Sequence, residues 1–419
     1  MKKYEEFDFY PLEGQPYFDN DRFWISPLNF LPENLKGIPE KVIIHDCTLR
    51  DGEQTPKVAY SKSERVRIAQ QLSELGVDRI EIGMPIISEE LRDAIKEVMK
   101  LNLKSEIVSF ARANPEDVAL SVECGVRSII VEHTVNPYLC KYAYKLNEDE
   151  VKKRIYDNIS AAKKAGLWTC FMGWDFSRTP LEFSRKLYQT AVEAGADALT
   201  IVDTFAVATP QAIGYAVKKM SEWFPGIQLE FHVHNDFGMG MATAMAAVQN
   251  GAKVIHTAMN SLGERTGNLA TEEVATTFGI LTGNRANVNL SKLQETSRVV
   301  SDITGIHPNV NKTVFGKNCF GIESGVVSHY TESLRQAGFK PIAYPYLPHV
   351  VGRKEEDYFI GYLSGKLTID FYLDRNGFEA ATKEQREQVL TEVKQECFVR
   401  RTLLSEEDFV AIAKRVLAE

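Results

Sequence analysis

Cysteine is scarce in this 419-residue chain. The six present (Cys47, Cys124, Cys140, Cys170, Cys319 and Cys397) are scattered, and no two form a CxxC pair. That excludes a thiolate zinc site of the usual spacing and gives no disulfide framework, so the cytoplasm is the expected compartment. No apolar run approaches the length that spans a bilayer. The basic start MKKYEEFDFYPLEG turns acidic before any apolar stretch forms, so neither a targeting segment nor a membrane partner is expected. Basic charge is also in deficit: 49 Lys and Arg face 57 Asp and Glu, for a net charge of −8. A general nucleic-acid binder would show the opposite balance. An anionic small molecule stays admissible, because local Arg and Lys set the potential it meets. Finally, no glycine-rich phosphate turn follows the first strand-like run, which disfavours a doubly wound nucleotide-binding sheet.

What is present is the composition of a folded soluble protein, with 44% hydrophobic and 25% charged residues. The length suits two to three domains, or one large barrel with an appendage. Residues 1–40 read as an aromatic, irregular arm whose Phe and Trp side chains are packing anchors. From residue 41 short β-rich runs alternate with helical patterns. The runs are KVIIHD (41–46), RIEIG (79–83), KSEIVSF (104–110), RSIIVEH (127–133), WTCFMG (168–173), ALTIVD (198–203), QLEFHVH (228–234) and AKVIHTAM (252–259). Several intervening helices end in Gly just before the next run, as in LGVDRI, CGVRSI, AGLWTC, AGADAL and NGAKVI. Eight strands in α/β alternation predict a (β/α)8 TIM barrel over residues 41–288, ahead of an open sheet. After about residue 285 the rhythm stops. Residues 289–419 read as small C-terminal helical lid subdomains, with the Pro- and Tyr-rich segment KPIAYPYLPHVVGRK as a loop or lid.

Active sites of such barrels lie at the C-terminal ends of the strands. Those ends carry polar residues in excess of what a core needs. Strand 1 leads into Arg50, Asp51 and Gln54. Strand 2 ends near Glu81, strand 3 near Arg112 and Asn114, and strand 6 at Thr204. Strand 7 carries His232 and His234, and strand 8 leads to Glu264, Arg265 and Asn268. Two histidines two apart on a strand point to one side. They read either as a site for one divalent cation or as satisfied core histidines. Asp51 and Asn268 are candidate oxygen ligands, or else a turn residue and a helix cap. The mixed donor set is compatible with Zn, Mn, Co or Mg. Arg50 beside such a cation can stabilise negative charge on the keto oxygen of a 2-oxo acid, and Thr204 can hydrogen-bond its carboxylate. Glu81 and Glu264 either orient these groups or form structural ion pairs with Arg79 or Arg265.

Taken together, DCTLRDGEQTP (46–56), HVHNDFGMG (232–240) and LGERTGNLATEEV (262–274) resemble the DRE-TIM metallolyase superfamily, and within it the Claisen-condensing branch of isopropylmalate, citramalate, homocitrate and Re-face citrate synthases. RIEIGMP (79–85), VDTFAVATP (202–210), FGKNCFGIESG (315–325), VGRK (351–354) and LSGK (363–366) support it. The resemblance covers about residues 41–415. It implies a divalent metal on Asp51, His232, His234 and Asn268, with Arg50 as the catalytic arginine. It implies 2-oxo acid contacts at Gln54, Arg112 and Thr204, with acetyl-CoA as the acyl-CoA co-substrate. It also implies a homodimer, with the subdomains of one chain reaching over the partner's barrel. The lyase branch carries a Cys-containing loop near residue 263; SLGERTGN has none, which favours condensation.

The chain also departs from this pattern. The family's HESGIH-type string reads GIESGVV here, with Ile322 and Val327 at the histidine positions. His329 lies two residues on, about 200° around a helix, so it and Tyr330 are candidates for proton transfer rather than direct replacements. At strand 5, Cys170 stands where homocitrate synthases place an arginine, which disfavours 2-oxoglutarate unless Arg112, His133 or a lid residue takes the distal carboxylate. Near strand 6, Phe205-Ala206 replaces the more usual Val-Gly. The tail of about 130 residues predicts no amino-acid-binding feedback domain. The expected activity is acyl transfer from acetyl-CoA to a 2-oxo acid. The alternatives are a retro-aldol or retro-Claisen lyase of the hydroxymethylglutaryl-CoA lyase kind on the same site, and a non-catalytic barrel.

Overall fold

The computed structural model describes residues 11–353 and 357–418. Residues 1–10 of the arm and Lys354 of the VGRK string lie outside the described residues. Eight parallel strands close a barrel: β1 (Ile43–Asp46), β2 (Arg79–Gly83), β3 (Glu106–Arg112), β4 (Ser128–Thr134), β5 (Trp168–Trp174), β6 (Ala198–Asp203), β7 (Gln228–Val233) and β8 (Ala252–Thr257). Each strand pairs with its sequence neighbours, and β8 returns to β1 with His256 opposite His45 and Thr257 opposite Asp46. This is the expected TIM barrel, and every run read from the sequence supplies one of its strands.

The strands form where β-branched and aromatic residues alternate, and their inward members fill the interior. Val108, Phe110, Ile130, Met172, Ala198 and Val202 make one such buried cluster. The helices between them are delimited as the sequence signals. Ser61 caps the helix Lys62–Leu75 in a capping box with Glu64, and Gly76 ends it at φ +94°. That turn needs a residue without a Cβ, because the backbone must reverse directly into β2.

The chain divides into two compact units, Leu28–Pro308 and the remainder formed by Met1–Pro27 with Asn309–Glu419. The barrel is the first. The second holds the helices Gly325–Gln336, Lys366–Arg375, Lys383–Arg400 and Glu406–Leu417. The last three of these pack around Ile369, Leu373, Val389, Val393 and Phe409. The arm contributes a two-strand ribbon in which Trp24 stacks on Phe339 at 5.9 Å. Trp24 is thus a packing residue within this unit, as its sequence context suggested. Among the described residues, no helix is long and apolar enough to cross a membrane.

Candidate active site

The turn after β1 places Arg50 and Asp51 over the mouth of the barrel, where both are buried. Arg50 donates from Nε to Glu81 on β2, and from Nη1 to Asp51 Oδ2 at 2.9 Å. Its guanidinium lies 4.2 Å from the Phe110 ring centroid, so one face is packed and its Nη2 is left without a partner. Glu81 is held in turn by His45 Nε2 at 3.0 Å. Burial opposes its ionisation, but Arg50 and His45 outweigh it and lower Glu81 to about 2. Glu81 therefore pairs with Arg50 and His45 rather than with Arg79 or Arg265. Arg79 bonds Glu230 instead, at 2.7 Å, and Glu230 holds His256 at 2.9 Å. His45 and His256 stack 4.1 Å apart. A buried layer of paired ionisable groups thus lies under the mouth, and of these His45, Glu230 and His256 were not singled out from sequence.

Asp51 faces both histidines of β7. Its Oδ2 is 3.4 Å from His232 Nε2 and 3.8 Å from His234 Nε2. Ligand atoms of these three residues lie within 4.8 Å of one another, the spacing of groups that share one cation at about 2.0–2.2 Å each. Burial opposes the Asp51 charge, but Arg50 and the two histidines hold its carboxyl below the usual carboxylate range. Burial keeps His232 well below its ordinary value, so the ring stays neutral and can offer a lone pair. Asn268 forms a backbone bridge with His234. It donates its Nδ2 to Leu262 O at 2.9 Å, which leaves Oδ1 buried with no partner. Asp51 Oδ1 is likewise buried and unpartnered. Buried polar atoms are ordinarily satisfied, so such a cluster fits an absent ligand. Asn268 is also not a helix cap, since Ala270 precedes the helix Thr271–Thr276.

Gly263 makes the placement of Asn268 possible. It sits at φ +141°, and a Cβ there would come within 2.4 Å of Asn268 Nδ2. Thr55 ties the same loop to the β1 turn, accepting from Gly263 N at 2.7 Å. We expect Gly263→Ala to displace Asn268 and weaken divalent-metal affinity by about 10–100-fold, the usual cost of disturbing a ligand's support. Titration against a chromogenic chelator measures it; unchanged affinity would show that Asn268 is not needed.

A cavity of about 390 Å³ opens above these groups. Arg50, Asp51, Gln54, Arg112, Thr204, His232, His234 and Glu264 all line it, so the barrel brings these expected site residues together. Thr204 Oγ1 accepts from Asp175 N at 2.9 Å, leaving its own hydrogen to donate. Arg112 is committed to Asp117 by two bonds of 2.9 and 3.0 Å. Glu264 is exposed, 3.6 Å from Arg265, while Arg265 chiefly grips Asp236.

Besides Glu81 and Asn268, which lie behind it, three expected residues are not part of this lining. Cys170 is fully buried in the barrel interior, with Sγ 3.1 Å from Thr200 Oγ1; Met172, the next inward residue of β5, reaches the cavity in its place. Asn114 caps the helix Pro115–Glu123, accepting from Glu116 N. His329 is exposed on the helix Gly325–Gln336 of the second unit, with its ring 6.2 Å from that of Tyr330. Conversely, sequence reasoning passed over Glu132, Tyr144 and Trp174, which line the cavity. Strand alternation could have found Glu132 and Trp174, since each lies two residues beyond an inward Ile130 or Met172. Burial raises the Glu132 carboxyl to about 7 against the pull of Arg50 and Arg112.

A second cavity of about 370 Å³ adjoins this one, sharing Arg50, Gln54 and Met84 and lined further by Tyr60, Leu91 and Ala94.

Residues 41–300 match the HMGL-like family. The 2-isopropylmalate synthase of Methanocaldococcus jannaschii is 36% identical over 365 residues, spanning 86% of this chain and 69% of its own length. The homocitrate synthase of Methanopyrus kandleri is 37% identical over 85% of this chain and 88% of its own. The (R)-citramalate synthase of M. jannaschii is 35% identical over 90% and 74%. Among solved structures, the Bacillus subtilis HMG-CoA lyase superposes with a TM-score of 0.59, covering 65% of this chain and 96% of that one. At 22% identity it speaks for the barrel alone. The chain belongs to the HMGL-like family, among the condensing acyltransferases that its isopropylmalate, homocitrate and citramalate synthase relatives represent.

Proposed function

We propose that this protein condenses acetyl-CoA with a 2-oxo acid, giving a 2-hydroxy di- or tricarboxylate and free CoA. The observation that carries this reading is the group Asp51, His232 and His234 beside a buried arginine in one cavity, with the unpartnered Asn268 Oδ1 on the residue bridged to His234, in a chain whose relatives are synthases. Those four residues would hold a divalent cation, which when bound supplies Lewis acidity to the 2-oxo acid. Arg50 stabilises the negative charge that grows on the keto oxygen, because Glu81 and Asp51 fix its guanidinium before the substrate arrives. Thr204 donates its free hydroxyl hydrogen to the substrate carboxylate, and Gln54 hydrogen-bonds the same ligand from the opposite side of the mouth. The methyl carbon of acetyl-CoA gives up a proton and forms the new bond to the keto carbon. Water then cleaves the thioester, and CoA leaves as the thiol. The adjoining cavity offers an apolar bed of Tyr60, Met84 and Leu91 for the acyl-CoA arm.

Release of CoA from acetyl-CoA, screened with pyruvate, 2-oxoisovalerate, oxaloacetate and 2-oxoglutarate, tests the reading. CoA release dependent on a 2-oxo acid and on divalent metal is expected. Cleavage of a hydroxyacyl substrate with no such release would favour the lyase instead.

A further inference from the structure

Glu132 sits in the wall of the cavity between two neighbours in register: Arg112 on β3 and Met172 on β5. Arg112 is the obvious counter-ion, yet two hydrogen bonds turn its guanidinium to Asp117. Met172 on the other side and Phe110 nearby offer no hydrogen bond. Tyr144, Leu139 and Ala143, from the segment after β4, complete this side of the cavity. No described residue gives the Glu132 carboxyl a hydrogen bond or an ion pair, and burial already raises it to about 7. Glu132 is partly exposed to the cavity, and with no protein donor on its carboxyl it is open to a hydrogen bond from a molecule bound there.

We propose that Glu132 selects the side chain of the 2-oxo acid, favouring one that ends in a hydrogen-bond donor such as a hydroxyl and rejecting one that ends in a carboxylate. The inference rests on reading the cavity as the 2-oxo acid site, since it is lined by Asp51, His232, His234 and Arg50 as well as by Glu132. A hydroxyl donates to Glu132 and satisfies it. A purely apolar side chain leaves the carboxyl dehydrated and unpaired, and a distal carboxylate adds like charge. Sites built to hydrogen-bond a substrate group discriminate strongly against analogues that lack it.

The test compares kcat/KM for 2-oxo-4-hydroxybutyrate, 2-oxopentanoate and 2-oxoglutarate, read as CoA release by the metal-loaded full chain. The wild type should prefer the hydroxy acid over both others by at least about tenfold. Glu132→Met should shift the preference to 2-oxopentanoate, and Glu132→Gln should raise activity on 2-oxoglutarate, with metal content unchanged in both. A wild type that treats the hydroxy acid no better than 2-oxopentanoate overturns the proposal, even if neither variant folds. So does an order of preference that survives both substitutions. Absence of CoA release with every 2-oxo acid would sink the condensation reading and this inference with it. Release with an unaltered preference sinks this inference alone.

Discussion

Arg50→Ala should lower turnover at least about a hundredfold while leaving the bound metal in place, the scale of losing one preorganised electrostatic stabiliser. The guanidinium is set by three surroundings: Glu81 below, Asp51 beside it and the Phe110 ring against its face. Its remaining Nη2 is buried and unpartnered, so a donor points where no protein acceptor exists. The loss should therefore fall on kcat more than on KM. Arg50→Lys should be nearly as damaging, because an ammonium cannot serve Glu81, Asp51 and a substrate oxygen from one planar fork. Removing Arg50 leaves Glu81 with His45 as its partner and costs about 3–5 kcal/mol of stability. Near-ultraviolet circular dichroism should accompany the kinetics, so that turnover is read on folded protein. Near-normal turnover in folded Arg50→Ala would remove Arg50 from the reaction.

Asp51→Ala and His234→Ala should lose both metal and activity. Asp51 is the carboxylate that both histidines face, and its charge is held by Arg50 against the cost of burial. Without it, two imidazoles and an amide oxygen remain, a set with no anionic donor. His234→Ala removes one of the two imidazoles that face Asp51. Elemental analysis after dialysis against a weak chelator should find a stoichiometric divalent ion in the wild type and little in either variant. Wild-type metal content in both would remove the site as drawn.

Much of this could be read from the chain because strand ends are local. The eight runs, their glycine stops and the polar residues just past each strand follow from neighbouring residues, and the barrel turns that order into a ring. Asp51, His232, His234 and Asn268 were named from such positions and from a family resemblance; the fold brings the first three together and bridges Asn268 to His234. Residues whose meaning depends on depth were less legible. Cys170 and Met172 are both inward on β5, and only the register of the closed sheet shows that the second reaches the mouth. Glu132 looked like an unremarked member of an apolar strand, because an unpaired carboxyl is recognised only once Arg112 is seen to be occupied by Asp117. The buried exchange of partners, Glu81 with Arg50 and Arg79 with Glu230, depends on contacts between residues far apart in the chain. Ala206 is a further case. It sits at φ +50° where the family more often has glycine, so the β6 turn keeps its shape at some local strain.

The closing of the barrel has a consequence for assembly. β1 and β8 come from opposite ends of the barrel sequence and meet edge to edge. Asp51 follows β1, His232 lies on β7 with His234 just past its end, and Asn268 follows β8. The cation site therefore straddles the seam where the ring is sewn shut. A chain that has not yet joined its first strand to its last holds only fragments of the donor set. An ion held by these residues would clasp the first and last strands of the circle together, and its uptake would report that they had met.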